Sequence, residues 1–350
     1  MSISIDITLI NNQILNKKKK KEDDDNESKI VPYDFFSINE ININRIINTI
    51  PYWSNYYDII LDYDFIDISK IGEKIIENID LNDNNIKYLI CHYSNKKYLD
   101  FQEFLFNMPN IKQFIFTILN SYSNLLNGLI KLNDKNICFF ELNTYNIVFS
   151  NNTRPFLQNF KNSLLISELN ESYIKTIITN INNYTYKPLE IHVLFYLIIN
   201  NEETLSLSFI EKICRNYVKN MNILSLFSQS YTDSYEKACI DFLKKYINKP
   251  KSLIITDILQ YYQYWDNYSI SVIYLHIIGN ISRFFALKGT FINKFSLLLS
   301  KNIHPNPLKR ETLNQTFYNY DKIIEEFTDW SFINGISNEK LADFYTYLQN

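Results

Sequence analysis

A mostly polar turn of six residues between two apolar runs is the sequence feature that most constrains how this chain folds. Residues 137–140 and 147–149 are apolar, and residues 141–146 between them read Glu-Leu-Asn-Thr-Tyr-Asn. Short apolar runs bounded by polar residues are typical of buried strands. The turn therefore places the carboxylate of Glu141 and two Asn amides at one fixed point between two segments of the core.

The pattern of apolar residues predicts a mixed protein in which helices predominate. Before the turn, residues 111–132 carry apolar side chains in repeated i, i+3, i+4 relation, which predicts a long buried helix. Further helices are predicted at 36–50, 101–106, 191–199, 209–218 and 235–246. Short strands rich in β-branched and aromatic residues are predicted at 57–61, 65–68 and 88–93.

Composition indicates a folded protein without an overall basic field. The chain has 350 residues, of which 46% are hydrophobic and 16% aromatic, enough to bury one large core or two smaller lobes. A formal net charge of -3 does not favour nucleic acid or an anionic membrane as a partner. No apolar run approaches the ~20 residues that a transmembrane helix requires. We therefore expect neither a nucleic-acid partner nor a membrane.

The cysteines and the N-terminus favour an intracellular, cytoplasmic protein. The four cysteines are far apart and form no Cys-x-x-Cys pair, which argues against a zinc site or a disulfide framework and for a reducing compartment. The first residues alternate between apolar and polar and run into Lys17–Lys21, which is not the pattern of a signal peptide. Four acids follow these lysines, so residues 1–30 are predicted to be a disordered charged tail.

Residues 139–146 resemble the catalytic loop of protein kinases. The family pattern is His-Arg-Asp-Leu-Lys-x-x-Asn, and Leu142 and Asn146 match it. Glu141 stands at the position of the catalytic base and keeps a carboxylate, one methylene further out. Asn143 stands at the position of the loop lysine and lacks its positive charge. The resemblance implies a catalytic role for Glu141 and a degenerate one for Asn143.

Residues 155–161 resemble the segment that carries Asp-Phe-Gly in kinases, with Asn159, Phe160 and Lys161 in its place. An amide thus replaces the carboxylate that holds magnesium, and a side chain replaces the glycine. The resemblance implies that Asn146 and Asn159 bind metal and nucleotide, in this case through amide oxygens. ATP and Mg²⁺ are the cofactors that it implies, with weakened binding because several charged partners are missing.

Two downstream segments resemble kinase motifs that form a buried ion pair. Residues 184–190 resemble the Ala-Pro-Glu end of the activation loop, with Pro188 and Glu190 matching. Residues 302–310 resemble a His-x-Asp-Pro-x-x-Arg stretch near the end of the domain, with Arg310 matching. The resemblance implies an ion pair between Glu190 and Arg310 that the folded protein requires.

Residues 265–274 resemble the Asp-x-Trp-Ser segment that opens the central helix of the kinase large lobe. Asp266 and Ser269 match, and the resemblance implies a structural role for Asp266. The interval 198–250 before this segment is longer than the family usually has. We interpret it as an insertion or as an expanded helical region.

The features of a kinase small lobe are reduced in this sequence. No glycine precedes Gly72, so a phosphate-binding loop is missing, and Lys29 is the nearest stand-in for the lysine of Val-Ala-Ile-Lys. Glu40 is the only acid in the first predicted helix that could pair with such a lysine. The resemblance places the hinge near Cys91 and Tyr93, whose backbone would hydrogen-bond adenine.

Together these motifs resemble the divergent kinase-like proteins encoded by large DNA viruses, which act in the host cell or virion. The resemblance implies an α+β, bilobal, protein-kinase-like fold with a reduced small-lobe sheet and a mostly helical large lobe. After the tail, the expected parts are a small lobe at 31–93, a large lobe at 94–325 and a C-terminal helical tail at 326–350. The apolar face of that last segment docks either on the large lobe or on another protein.

The leading functional hypothesis is a catalytically impaired pseudokinase that acts as a scaffold or allosteric module by binding another protein. The alternative is a divergent active Ser/Thr protein kinase. In it Glu141 is the base, Asn146 and Asn159 hold a metal through their amide oxygens, and Lys161 or Lys29 contacts phosphate. A third alternative is a helical interaction module unrelated to kinases. In that case residues 57–93 form helices.

Overall fold

The computed structural model describes residues 27–66, 87–94, 96–150, 154–181, 184–284, 290–326 and 342–346. Within them the fold is α+β and mostly helical. The helices are α1 (Phe35–Ile47), α2 (Phe101–Phe106), α3 (Ile111–Asn133), α4 (Glu171–Asn180), α5 (Leu189–Ile199), α6 (Leu207–Asn220), α7 (Gln229–Leu243), α8 (Lys251–Leu259), α9 (Trp265–Phe284), α10 (Phe291–Asn302) and α11 (Leu313–Glu326). The strands are β1 (Glu27–Pro32), β2 (Asp62–Ile66), β3 (Tyr88–Tyr93), β4 (Tyr98–Asp100), β5 (Ile137–Cys138), β6 (Ile147–Ser150), β7 (Pro155–Leu157) and β8 (Leu164–Leu165). None of the helices in these ranges is long and apolar enough to cross a membrane.

An antiparallel sheet with the strand order β1-β3-β2 lies beside α1. The central strand, β3, is rich in aromatic and β-branched residues, which favour a pleated surface, and its first four residues are buried. A small apolar cluster of Ile41, Ile60, Leu89 and Cys91 lies between α1 and the sheet. Removal of this apolar surface from water fixes α1 against the sheet.

Polar caps set the start of the two helices that matter most for the site. The Asp34 side chain accepts hydrogen bonds from two N–H groups of α1, and the Asn110 side chain accepts one from α3. Such caps stabilise a helix by about 0.5–2 kcal/mol each. The helices predicted at 36–50 and 111–132 are confirmed, and the other predicted helices correspond to α2, α5, α6 and α7.

The small sheet differs from the sequence prediction at two strands. The strand predicted at 57–61 instead bridges to β7, because the Asp58 N–H donates to the carbonyl of Leu157 at 2.9 Å. The strand predicted at 65–68 is β2, which begins earlier, at Asp62, where the antiparallel register with β3 begins. The end of that predicted strand lies outside the described residues. The strand predicted at 88–93 is confirmed as β3.

β1 begins at Glu27, inside the segment 1–30 that is predicted to be a tail. Its residues pair with β3 in a continuous antiparallel register, from Glu27 opposite Tyr93 to Pro32 opposite Tyr88. The partner strand lies far along the chain, so the order of this segment comes from a pairing that local composition does not reveal. Residues 1–26 lie outside the described ranges.

α9 runs through the middle of the helical part of the protein. Trp265, Tyr268 and Tyr274 on this helix are fully buried. The hydroxyl of Tyr274 lies 2.7 Å from Ser121 Oγ on α3, and its ring meets that of Tyr122 edge-on at 4.8 Å. These contacts join the two longest helices into the core on which the loops of the candidate site rest.

The interval 198–250, interpreted as an insertion or expanded helical region, is part of the same core. It contains α6 and α7, and a chain of buried hydroxyl groups links both helices to α9. Tyr217 OH lies 3.2 Å from Tyr235 OH and 2.6 Å from Tyr268 OH. The Tyr235 hydroxyl donates to the carbonyl of Ile303 at 2.6 Å. These hydrogen bonds pack the two helices of the interval against α9 and the end of α10.

The short helix at 342–346 packs on its own chain. Phe344 is fully buried, and its ring lies 5.6 Å from that of Phe114 on α3. The ring of Tyr345 lies 5.3 Å from the same Phe114 ring. Of the two alternatives for the C-terminal segment, docking on the helical part is therefore confirmed for these residues, whereas Leu341 and Leu348 lie outside the described ranges.

A buried ion pair joins the start of α5 to the segment before α11, as the sequence predicts. Arg310 Nη1 lies 2.6 Å from Glu190 Oε1, and Nη2 lies 3.0 Å from Oε2. Both side chains are completely inaccessible to solvent. Arg310 also donates to the carbonyls of His304 and Pro305. The buried guanidinium thus meets one carboxylate and two backbone carbonyls within the protein.

Replacing one partner of this pair tests its contribution to stability. We expect Arg310→Met to lower the free energy of unfolding by about 3–5 kcal/mol, because the Glu190 carboxylate stays buried without its partner. Urea-induced unfolding followed by circular dichroism measures the change. The control is Lys294→Met, which breaks the exposed pair with Glu326 and is expected to cost at most about 1 kcal/mol. Equal effects of the two substitutions would contradict this role of Arg310.

Candidate functional site

A β-hairpin brings together the two loops that carry the predicted site residues. β6 and β7 pair antiparallel, with Ile147 opposite Leu157. This register places the residues that flank the hairpin side by side, and the Gln158 N–H donates to the carbonyl of Asn146 at 3.1 Å. Asn159 follows directly. The 139–146 loop and the 158–163 segment therefore meet at the base of the hairpin.

The two amides predicted to bind metal are hydrogen-bonded to each other. Asn159 Nδ2 donates to Asn146 Oδ1 at 3.2 Å. Asn146 Nδ2 in turn donates to the backbone carbonyl of Glu141 at 2.8 Å. Asn146 is buried, with 4% of its surface exposed. The structure thus brings Glu141, Asn146 and Asn159 into one hydrogen-bonded group, which we call the amide chain.

Asn143 shapes the loop. Its Oδ1 accepts hydrogen bonds from the N–H groups of Tyr145 and Asn146, at 2.9 and 3.1 Å, and caps the short 3₁₀ turn that ends the loop. Its Nδ2 donates to the carbonyl of Glu141 at 3.2 Å. Asn143 therefore contributes to the conformation of the loop, which is consistent with the degenerate catalytic role that the sequence assigned to it.

The Glu141 carboxylate is bound by a residue that sequence reasoning missed. Asn162 Nδ2 donates to Glu141 Oε2 at 2.6 Å, and Asn162 Oδ1 accepts from Asn180 Nδ2 at 2.9 Å. Asn162 is almost completely buried. Asn162 thus binds the carboxylate directly, and Asn180 on α4 fixes the orientation of Asn162.

The Asp266 side chain binds the backbone at the start of the 139–146 loop. Its two carboxylate oxygens accept from the N–H groups of Phe139 and Phe140, at 2.7 and 2.8 Å. Burial raises the pKa of Asp266, and these hydrogen bonds oppose the shift. Phe140 has φ of 62°, a left-handed conformation that costs a residue with a side chain about 1–3 kcal/mol. The contact with Asp266 stabilises this turn of the backbone, as expected for the structural role of Asp266.

A buried lysine lies under the loop and was given no role from the sequence. Lys187 Nζ donates to the carbonyl of Phe140 and lies 4.2 Å from the centre of the Phe140 ring. Only 2% of Lys187 is exposed. Burial lowers the pKa of Lys187 to about 8, while the charges of Glu141 and Asp266 oppose that shift.

Glu40 on α1 binds the 158–163 segment. Its Oε1 accepts from the N–H of Phe160 at 2.9 Å, directly after Asn159, which has a left-handed φ of 65°. Burial raises the pKa of Glu40 to about 6, and the Phe160 N–H and the charges of Lys161 and Lys29 act in the opposite direction. Glu40, the one acid of the first predicted helix that was available to pair with a lysine, therefore binds a backbone N–H, and the charges of Lys161 and Lys29 lower its pKa.

Cys91 and Tyr93 lie in β3. Cys91 is fully buried between Lys29 on β1 and Tyr63 on β2, so its backbone is inside the sheet. Burial raises the pKa of the Cys91 thiol to about 12. Tyr93 is at the end of the strand, with Lys29 Nζ 4.7 Å from its ring centre. The chain leaves the sheet at Ser94, whose hydroxyl donates to Asp58 Oδ1 at 2.9 Å.

The donor set of the amide chain fits a divalent metal poorly. Mg²⁺ is held in proteins by carboxylate oxygens, whereas Asn146 and Asn159 offer neutral amide oxygens. One of these, Asn146 Oδ1, already accepts a hydrogen bond from Asn159. Among the residues that the structure describes, no group of three or more His, Cys, Asp or Glu side chains could hold a metal ion.

No known protein-family model matches this chain, and none of the curated proteins matches its sequence. Assignment of the site therefore depends on its residues and their geometry.

The raised pKa of Glu40 predicts a pH dependence of stability. The pKa of about 6 in the folded protein lies above the ordinary 4.5, so the folded state binds this proton more tightly than the unfolded state. Ionisation between pH 4.5 and 6 therefore lowers the free energy of unfolding by about 1–2 kcal/mol. We expect Glu40→Gln, which keeps the acceptor for Phe160, to gain that amount relative to wild type between pH 4 and pH 7.

Denaturant unfolding at a series of pH values measures this difference. The control is Glu211→Gln at an exposed position of α6, which is expected to change less with pH than Glu40→Gln. If the two variants follow the same pH dependence, burial does not control the ionisation of Glu40.

Proposed function

We propose that this chain is a protein-kinase-like pseudokinase that has lost efficient phosphoryl transfer and acts by binding another protein. The observation that carries the proposal is the amide chain. At the two positions where the resemblance to kinases expects metal ligands, Asn146 and Asn159 are neutral and hydrogen-bonded to each other.

Contacts between separate motifs support the kinase-like part of the proposal. The kinase-like segments were matched by residue type and by their order along the chain, which does not fix their contacts in space. Asp266 nevertheless binds the catalytic-loop-like segment across 127 residues, and Glu190 binds Arg310 across 120. Glu40 binds the Phe160 N–H, also across 120 residues. A set of chance matches to short motifs would not be expected to bring its members into contact.

The secondary structure around these contacts is consistent with a two-lobed arrangement. A three-stranded sheet with a single helix, α1, precedes the helical part. The described residues between 57 and 93 form strands β2 and β3 and contain no α-helix, which argues against the helical-module alternative. The bilobal kinase fold itself remains part of the proposal.

The small number of charged groups available at the amide chain supports the proposed loss of catalysis. Phosphoryl transfer requires cations and a metal to neutralise the phosphates, with little covalent work for the protein. Here Asn143 and Asn159 are neutral, and Lys187 is buried against Phe140. Hydrogen bonds to charged groups contribute about 1.5–3 kcal/mol each. Losing two of them slows the reaction by about a hundredfold or more, at ~1.36 kcal/mol per factor of ten.

One observation favours the alternative, a divergent active kinase. Glu141 keeps a carboxylate in the amide chain, and Asn162 and the charge of Lys187 hold it in place. In that alternative Glu141 acts as the base, and the amide oxygens of Asn146 and Asn159 hold the metal. The two functions differ in one property, because only the active enzyme requires binding of ATP that depends on magnesium.

Thermal unfolding with ATP separates the two functions. For wild type we expect the same midpoint with ATP and EDTA as with ATP and Mg²⁺, because Asn146 and Asn159 are neutral and the Glu141 carboxylate is hydrogen-bonded to Asn162. A midpoint that rises with ATP and Mg²⁺ and falls back in Asn146→Ala would overturn the proposal and favour the enzyme. A ligand that binds only the folded state raises the midpoint in proportion to the logarithm of its concentration over Kd, so the comparison is direct.

Restoring one carboxylate is expected to restore metal dependence. In Asn159→Asp, a charged ligand replaces the amide at a backbone conformation that Asp tolerates. We expect Mg²⁺ to tighten ATP binding to this variant by about 10–100-fold, the range given by a charge-assisted contact. Titration calorimetry with and without Mg²⁺ measures the gain.

The matched control is Asn201→Asp, the same substitution at another left-handed position, with φ of 53°, outside the amide chain. It is expected to leave ATP binding independent of Mg²⁺. A gain in both variants would show that added negative charge acts without regard to the site.

A further inference from the structure

Asn39 on α1 uses its whole side chain to bind the segment that follows the amide chain. Its Nδ2 donates to the backbone carbonyls of Lys161 and Ser163, both at 2.9 Å. Its Oδ1 accepts from the hydroxyl of Tyr173 at 2.7 Å. Asn39 is 5% exposed. Because a buried amide is costly unless its donors and acceptor are matched, this full set of bonds specifies one position of α1.

Tyr173 is the third partner of the Asn39 side chain, beside the carbonyls of Lys161 and Ser163. It lies on α4 and is 8% exposed, and its hydroxyl also accepts from the Leu165 N–H at 3.2 Å. Its ring meets that of Phe35, the first residue of α1, edge-on at 5.6 Å. One hydroxyl group therefore bridges α1 to the strand β8, and the ring extends the contact to the first turn of α1.

The next residue of α1 adds a second attachment to the same segment. Glu40 accepts from the Phe160 N–H at 2.9 Å. Asn39 and Glu40 together bind backbone groups of residues 160–163, a segment that also carries Asn162, the partner of Glu141. Every one of these bonds is made between groups of this chain, and none depends on a nucleotide phosphate.

We infer that Asn39 and Tyr173 form a latch that holds α1 closed on residues 160–165 without nucleotide. The latch goes beyond the proposed function, because it concerns the resting conformation of the chain and holds whether or not ATP binds. It keeps Glu40, the amide chain and the surrounding surface in a single arrangement.

Hydrogen exchange of the full chain without nucleotide tests the latch. Asn39→Asp keeps the size of the side chain and removes both donors to the carbonyls, and Tyr173→Phe removes only the hydroxyl. We expect the amides of α1 to exchange about tenfold faster in each variant, while those of α3 keep their rates, because opening is local. The matched control is Tyr184→Phe, which removes a hydroxyl that donates to the carbonyl of Ile178 at 2.7 Å. It is expected to leave α1 at wild-type rates.

Two results would overturn the inference. In the first, α1 keeps its wild-type exchange rates in both latch variants. In the second, α1 and α3 accelerate together, or Tyr184→Phe accelerates α1 as much as Tyr173→Phe, so that the variants act only through global stability. The measurement needs no ATP, and the proposed function is tested with ATP on wild type, so either one can fail without the other.

Discussion

The buried carboxylate of Asp266 is the interaction on which the candidate site depends. It binds two consecutive backbone N–H groups, those of Phe139 and Phe140, and so fixes a left-handed turn that a phenylalanine would otherwise avoid. Burying that carboxylate is costly, and it is balanced by the two hydrogen bonds and by the charge of Lys187. The direction of the chain at Glu141 follows from this turn. The amide chain forms because the loop leaves Phe140 in that direction.

Around this turn, neutral groups occupy the places where the proposed likeness to kinases expects charge. Asn146 and Asn159 hydrogen-bond to each other, and Asn143 caps a turn of its own loop. Each side-chain amide carries both hydrogen-bond donors and an acceptor. Several amides can therefore hydrogen-bond to one another without a bound ion. The same property makes the group a poor partner for a metal and its triphosphate. These hydrogen bonds within the site are the basis of the proposal that the chain acts by binding and not by phosphoryl transfer.

Sequence reasoning predicted the elements that a local pattern of residues indicates. The helices α1 and α3 follow from apolar periodicity, and the pair of Glu190 and Arg310 follows from two motifs. β1 was placed in a tail because its order comes from pairing with β3, far along the chain. The segment 57–61 bridges to β7 and not into the small sheet, because an extended apolar run does not specify which strand it will pair with.

The same limit applies within the site. The meeting of Glu141, Asn146 and Asn159 could be predicted because a short hairpin separates the two loops. The roles of Asn162 and Lys187 could not be predicted. An asparagine or a lysine in a segment of mixed polarity forms no sequence pattern that indicates a buried contact. Asn39 is similar, because its three hydrogen bonds lead to residues more than a hundred positions away. Contacts between residues that are so far apart in the sequence can be identified only from the folded structure.

The most direct test of the central claim is a phosphoryl-transfer measurement with radiolabelled ATP and Mg²⁺, on the full chain alone and with generic protein substrates. The claim that neutral amides have replaced the catalytic charges predicts no label on protein and no release of phosphate above that of Glu141→Gln. Transfer by wild type that disappears in Glu141→Gln would contradict it, and would identify the chain as an active phosphotransferase.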